Sequence, residues 1–354
     1  MVEVSLKSRK SVGMGFGMAA VVVVAILGFG ELMIWIASPT EYMYPRYQFS
    51  APYGMIPFAN VVMVHGVPRK YQFRYTVNAQ QCRGETPEPG EGARPAVVTL
   101  GDSYTFGMGV SDGDEYPAVM QRRLANRVSV VNLGEPGWGL TQEIRRYYDI
   151  GERYDPRVVV LQFCANDPDD NLANRVTRVQ NGEFVFMESA NSLNLIKKVL
   201  SRSFVQRTQF YNFFRTRASR VVLARLASRE ASKLDAARPA TDPAAGVPGI
   251  EKVHIELLET FARRLHDQGR TLVVISVNRQ LDQFPHIAAA VHDLDSRALL
   301  RYVEVMDWLR DMHDYASPEG HMWGAPAHRI IGERLADMVA AGLTVADSSA
   351  TSSP

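Results

Sequence analysis

Four short runs of apolar residues constrain the fold of this chain more than any other feature. They are Ala96–Leu100 (AVVTL), Val128–Leu133 (VSVVNL), Val158–Phe163 (VVVLQF) and Thr271–Val277 (TLVVISV), with a weaker fifth at Tyr302–Met306 (YVEVM). Each is apolar at consecutive positions rather than alternate ones, and rich in β-branched side chains. A strand covered on both faces requires that pattern. Between the runs lie helical patterns over Tyr116–Asn126, Thr141–Tyr154 and Glu251–Gln268. Strands alternating with helices predict an α/β fold: a parallel sheet between two helical layers, a three-layer α/β/α sandwich. Ligands of such sheets bind beyond the C-terminal ends of the strands.

The N-terminus imposes a second constraint. From Ser11 to Gly30 no residue is charged, and after Glu31 the run LMIWIA continues to Ala37. As a helix the uncharged stretch spans roughly 30 Å, the thickness of a bilayer core. Lys7, Arg9 and Lys10 precede it, so the positive-inside rule keeps residues 1–10 in the cytoplasm and sends the rest across. The run is long for the core of a signal peptide, and no A-x-A site precedes Pro39, which favours an uncleaved anchor over 11–37. Glu31 and Trp35 fall at the far interface.

Residues 38–95 are rich in Pro, Tyr and Gly. They read as a small β-rich preamble with a strand at Tyr71–Val77 and a linker over 84–95. An α/β domain is expected over 96–342, with an insertion at 175–250. Within the insertion, Asn181-Gly182 between the apolar runs of Val176–Glu188 signals a hairpin. Residues 193–230 read as helical and basic, and 235–249 as a second linker. The small, polar tail at 343–354 is expected to be unstructured. Hydrophobic residues make up 46% of the chain and charged residues 22%, which excludes a disordered chain. Lys+Arg number 39 against 38 Asp+Glu, a net charge of +1, so no general field points to nucleic acid. Two cysteines, Cys82 and Cys164, exclude a disulfide scaffold and are expected to be unpaired. No histidines or cysteines stand at metal-ligand spacing. No Lys follows the glycines of 101–109 at the offset of a phosphate loop. The chain therefore calls for no metal and no cofactor.

The polar residues at the strand ends carry the chemistry. The first strand runs into Gly101-Asp102-Ser103, where a serine hydroxyl is exposed at the sheet edge and suits a nucleophile. The second ends in Gly134-Glu135-Pro136-Gly137 and the third in Cys164-Ala165-Asn166-Asp167. The N–H groups of Ser103 and Gly137 and the amide of Asn166 form a candidate three-donor oxyanion hole. Asp102 and Asp167 read as structural groups bonded to neighbouring backbone. The base expected after the fifth strand is His321, with Glu319 on its other ring nitrogen. His313, in Asp311-Met312-His313, competes for that role from an expected helix, and Asp314 is a substitute acid.

In order, GDSYTFG, NLGEPGWG, CAND and EGHMWGAPAH resemble the four signature blocks of the GDSL/SGNH hydrolase superfamily, over about residues 96–340. The resemblance implies a flavodoxin-like sheet and serine ester chemistry: Ser103 as nucleophile, Gly137 and Asn166 as oxyanion donors, His321 as base. The fourth block departs from the pattern, with Pro318 and Glu319 where the family has an aspartate, and Ala327-His328 where it has Gly-His. The anchor, the preamble and the run GWGLTQE look most like membrane-tethered SGNH proteins of bacterial envelopes, some of which acetylate exopolysaccharides while others remove acyl groups. That likeness implies an inner-membrane protein with its catalytic domain in the periplasm or cell exterior. It also implies an O-acylated glycan or lipid ester as substrate, acted on by hydrolysis or acyl transfer, and polysaccharide-assembly proteins as partners. The rival reading is a non-catalytic, membrane-anchored glycan-binding protein with a degenerate site.

Overall fold

The computed structural model describes residues 2–85, 94–124, 127–189, 204–218 and 247–350, with backbone alone for 2–16 and 343–350. Helix α1 (Val2–Ala37) comes first; its apolar part, Gly17–Ala37, is largely exposed and meets the rest of the chain near Glu31 and at its C-terminal end. Five short strands follow: β1 (Tyr42–Tyr44), β2 (Tyr47–Ser50), β3 (Gly54–Pro57), β4 (Val61–Val67) and β5 (Tyr71–Val77). They pair as an antiparallel sheet in the order β1-β4-β5 and a separate β2-β3 hairpin.

The remaining strands are β6 (Ala96–Leu100), β7 (Ser129–Asn132), β8 (Pro156–Phe163), β9 (Thr177–Gln180), β10 (Glu183–Phe186), β11 (Thr271–Ser276) and β12 (Arg301–Glu304). Five of them make one parallel sheet in the order β12-β11-β8-β6-β7. All five residues of β6 are buried, as consecutive apolar residues in a doubly covered strand should be. Their side chains still alternate between two cores. Val98, Leu100, Val131, Val159, Leu161 and Val274 pack against α4 (Leu140–Asp149), α6 (Gly249–Asp267) and α7 (Pro285–Ser296). Val97, Val130, Val160, Val273 and Ile275 face α3 (Tyr116–Leu124), α8 (Met306–Leu309) and α9 (Ala325–Ala350). Each fully buried Val, Leu or Phe in these layers contributes about 1.5–3 kcal/mol. The expected three-layer α/β/α architecture is therefore present.

Several local expectations need correction. The helix expected over Thr141–Tyr154 divides into α4 and a 3-10 turn at Gly151–Tyr154, because Gly151 is pressed against Leu133, Tyr147 and Val98. Helix α9 continues to Ala350, past the tail boundary at 343. After Gly342 the sequence LTVADSSA contains neither Gly nor Pro to stop it. The Asn181-Gly182 hairpin, by contrast, forms as expected, as β9 and β10, with both turn residues at positive φ. Of the basic segment 193–230, only a 3-10 turn (Phe204–Arg207) and a helix over 209–218 are described. The linker at 235–249 lies outside the described residues except for 247–249, and the 84–95 linker is described at 84–85 and 94–95 alone.

The preamble packs on the turns that follow β6 and β7. Met43, Met63, Tyr75 and Val77 enclose Phe106 of α2 (Ser103–Phe106). Tyr53 and Ile56 enclose Trp138, whose Nε1–H donates to the Met55 carbonyl at 2.9 Å.

Candidate active site

The strand order places β6 between β7 and β8, so the turns after the outer pair flank the one that carries Ser103. That turn is narrow. Gly101 sits at φ +151°, and a Cβ there would overlap the Thr105 hydroxyl and the Gln162 amide. Only glycine adopts this backbone without strain. Asp102 is buried and caps α2, its Oδ1 accepting from the Tyr104 N–H at 3.0 Å. Burial raises its pKa, partly offset by that bond and by the charge of His321.

Ser103 Oγ lies 2.8 Å from His321 Nε2. On the far side of the ring, Nδ1 is hydrogen-bonded to Glu319 Oε1. The second carboxylate oxygen, Oε2, accepts the backbone N–H of His321 at 3.1 Å. Glutamate, one methylene longer than aspartate, thus curls back onto its own turn and fixes both ring and backbone. Burial pushes the His321 imidazole down, but the hydrogen bond and charge of Glu319, helped by Asp102 and Glu41, outweigh it and leave the ring above its ordinary pKa. Burial pushes Glu319 up, and the same imidazole outweighs it in turn, so the carboxyl titrates low. The pair is set to hold a proton on the ring, as a base that forms an imidazolium requires.

Gly137 and Asn166 stand at the ends of the neighbouring strands. Gly137 is exposed at φ +75°. Neither its N–H nor that of Ser103 donates to another group among the described residues. The Asn166 amide donates to Asp170 Oδ2 at 2.7 Å, so one of its two N–H bonds is in use. Asp167 is buried below it, with Oδ2 accepting the Cys164 N–H at 2.9 Å. His313 and Asp314 are exposed in the connection after α8, not on a helix, because α8 ends at Leu309. Neither reaches Ser103. His328 is buried with Nδ1 accepting the Tyr116 N–H at 3.1 Å, and burial holds its pKa down near 3. Cys82 and Cys164 are both buried and do not form a disulfide with each other. No group of His, Cys, Asp and Glu among the described residues is arranged to hold a metal ion.

Sequence reasoning missed the scaffold behind the base. Gly109 leaves room that a Cβ would take from Glu319 and Ser317. Ser317 Oγ donates to the Gly109 carbonyl at 2.7 Å and accepts the Glu319 N–H at 3.3 Å. The Gly109 N–H donates to Tyr75 Oη at 3.0 Å, which lies 2.7 Å from His65 Nδ1. His65 Nε2 in turn lies 3.0 Å from Glu41. The Arg83 guanidinium donates to the carbonyls of Phe106 and Val110 at 2.8 Å each, and to that of Gly107. Thus the preamble reaches the base through an unbroken polar chain. Alternation in β4 and β5 marks Tyr75 as inward-facing, but nothing in the sequence marks what it meets.

Residues 99–223 match the model of the GDSL-like Lipase/Acylhydrolase family. Over that stretch the chain is similar to GDSL-like acylhydrolases. The family is one of ester-hydrolysing enzymes, and the match takes in Ser103, Gly137 and Asn166 but stops short of Glu319 and His321. No curated protein matches the chain significantly. Solved structures with a similar path include a lipolytic protein assigned to the G-D-S-L family from Desulfitobacterium hafniense DCB-2, with TM-score 0.41 and 11% identity over 69% of this chain and 99% of that one. Est24, a carbohydrate acetylesterase from Sinorhizobium meliloti, gives 0.37 and 10% over 70% and 99%. The esterase EstA from Pseudoalteromonas sp. gives 0.39 and 10% over 70% and 98%. All three are distant likenesses. Beyond the matched stretch, the fold brings serine, imidazole and carboxylate into one hydrogen-bonded line at the C-terminal edge of the sheet.

Proposed function

We propose that this chain is a membrane-anchored serine esterase or O-acyltransferase of the bacterial envelope. The observation that carries the reading is the alignment of Ser103 Oγ, His321 and Glu319. An imidazole 2.8 Å from the serine with a carboxylate behind it supports catalysis over a purely binding site. In the first half-reaction His321 Nε2 takes the Ser103 proton as Oγ attacks the ester carbonyl carbon. The carbonyl oxygen becomes an oxyanion facing the N–H groups of Ser103 and Gly137 and the amide of Asn166. Collapse expels the alcohol, which takes the proton from His321, and leaves an acyl ester on Ser103. In the second half-reaction His321 deprotonates water or a sugar hydroxyl, which attacks that ester and restores the serine. Hydrolysis and transfer differ only in this acceptor.

The anchor reading is supported by the exposed apolar face of Gly17–Ala37, with mean hydropathy 2.4, and by the positive charges before it. It puts the domain on the periplasmic side of the inner membrane. There an O-acylated glycan or lipid ester is the accessible ester, and polysaccharide-assembly proteins are the fitting partners. The test is intact-mass analysis of the full-length protein in detergent after exposure to 4-nitrophenyl acetate, with Ser103→Ala as control and oligosaccharides as acceptors. An acetyl adduct or turnover that vanishes in Ser103→Ala, by at least about 10⁴-fold, is expected. Acetylated acceptor identifies a transferase, and release to water alone an esterase. Turnover retained in Ser103→Ala removes the nucleophile assignment.

A further inference from the structure

The basic segment that follows the hairpin has a described part, and that part lies against the membrane helix. Both carboxylate oxygens of Glu31, on α1, accept backbone N–H groups of the 209–218 helix: Gln209 at 2.6 Å and Phe210 at 2.7 Å. The two helices then diverge around a cleft of about 800 Å³, within the range of small-ligand sites. Its wall is almost wholly apolar, from Val24, Leu27 and Gly28 on one side and Phe210, Phe214 and Ala218 on the other. Phe214 and Val205 remain about half exposed. Arg215 stands at its edge.

The charge at this edge is unbalanced. Arg215 has Arg46 and Tyr211 within its field. The Nε atoms of Arg46 and Arg215 are both buried without a partner. Among the described residues Arg46 makes no hydrogen bond or ion pair, and Arg215 donates only to Thr216 on its own helix, at 3.3 Å. Of the nearby acids, Glu31 is committed to the helix backbone and Glu41 to His65; Glu41 acts on the arginines only at longer range. Burial and then the charge of Arg46 push Arg215 down to about 10. The surroundings match a lipid headgroup region. Arg69 lies over Trp35 at 4.7 Å and donates to the last carbonyls of α1, and Arg207 lies over Tyr44 at 4.1 Å.

We propose that the cleft between α1 and the 209–218 helix binds one anionic phospholipid of the bilayer, its acyl chain between the helices and its phosphate on Arg215 and Arg46. The apolar wall continues the face that α1 offers to the membrane, and the two guanidiniums, with no acid paired to either among the described residues, select a negative headgroup. The bound lipid fixes the height and tilt of the catalytic domain above the bilayer. The proposal rests on α1 being an uncleaved anchor and is independent of the chemistry at Ser103.

The test uses the full-length protein in a neutral maltoside detergent. Native mass spectrometry follows titration with phosphatidylglycerol or with phosphatidylcholine of matched chains. Retention of one phosphatidylglycerol, about 30-fold more readily than phosphatidylcholine, is expected from two arginines at roughly 1 kcal/mol each. Arg46→Gln/Arg215→Gln should bring phosphatidylglycerol down to the phosphatidylcholine level with hydrolysis of a soluble ester unchanged, which reports a folded domain. Gly28→Leu projects into open space and should reduce retention of both lipids by occupying the chain site. Equal retention of the two lipids, or a preference that survives the double arginine substitution, overturns the proposal. The same spectra report whether α1 is present, and a mature mass lacking it also overturns the proposal.

Discussion

The two sides of the candidate active site are built to different standards of rigidity. On the base side every group is held from behind. His321 is gripped by Glu319, Glu319 by Ser317, Ser317 by Gly109, and Gly109 by Tyr75 of the preamble. Arg83 fastens the carbonyls just after the nucleophile turn. On the oxyanion side Gly137 is exposed and its N–H is unbonded among the described residues, and Asn166 shares its amide with Asp170. The base therefore needs no rearrangement, whereas the donors meet competition from a protein carboxylate before substrate arrives. Preorganised donors are worth most when they pay no reorganisation at the moment of reaction. The Asn166–Asp170 bond is thus where this site departs from a fully prepared one.

The strongest way to break the contrast is Glu319→Gln. The base side would lose its orienting charge, and turnover should fall about 10²- to 10⁴-fold. The sign of the pH effect follows from the shift. Glu319 raises the His321 pKa, and the neutral ring is the base, so activity climbs as pH rises through that raised value. In Glu319→Gln the acidic limb should move to lower pH even as the plateau drops. A limb that stays in place would show that another group sets it. The stability owed to the pair has the same origin: it is present below the ordinary imidazole pKa and lost as pH rises through the raised one.

Arg83→Met tests whether the nucleophile turn depends on the preamble. It strips three carbonyls of their donor and leaves Glu115, 3.5 Å away, buried without its cation. A loss of about 3–5 kcal/mol is expected, read by thermal or denaturant unfolding. Arg83→Met/Glu115→Met should recover part of it, since the stranded charge is then gone. Additive losses in that cycle would mean the two groups act separately.

Asp170→Asn is the finest probe. Burial raises Asp170 to about 7, so near neutrality its charge, and with it the environment of the Asn166 amide, changes with pH. The asparagine keeps an acceptor for Asn166 and removes the titration. The rate should stay within a few-fold of the parent, and the pH profile above 7 should flatten. A 10²-fold loss would make Asp170 essential to holding Asn166 and reverse the view that it competes.

The sequence by itself determined the sheet. Consecutive β-branched residues at 96–100, 158–163 and 271–276 can bury both faces only inside a layered α/β fold, and the strand bounds follow almost residue for residue. It also determined which strand ends bear polar groups, because Ser103, Gly137 and Asn166 interrupt apolar runs at the positions where the chain must turn. Tertiary structure alone decided the rest. His321 and His313 look alike in sequence, each standing two residues after an acid, Glu319 or Asp311. The closure of the loop over Gly109 brings the 317–321 turn against Ser103 and leaves His313 in solvent. Alternation marked Tyr75 as inward-facing but not what it meets, and Arg83 and His65 carried no local signal, since a polar residue reads as surface until another layer covers it. The arrangement of Arg46 and Arg215 joins segments far apart in the chain. No spacing rule reaches that far; only packing, which is blind to sequence separation, brings two such charges together.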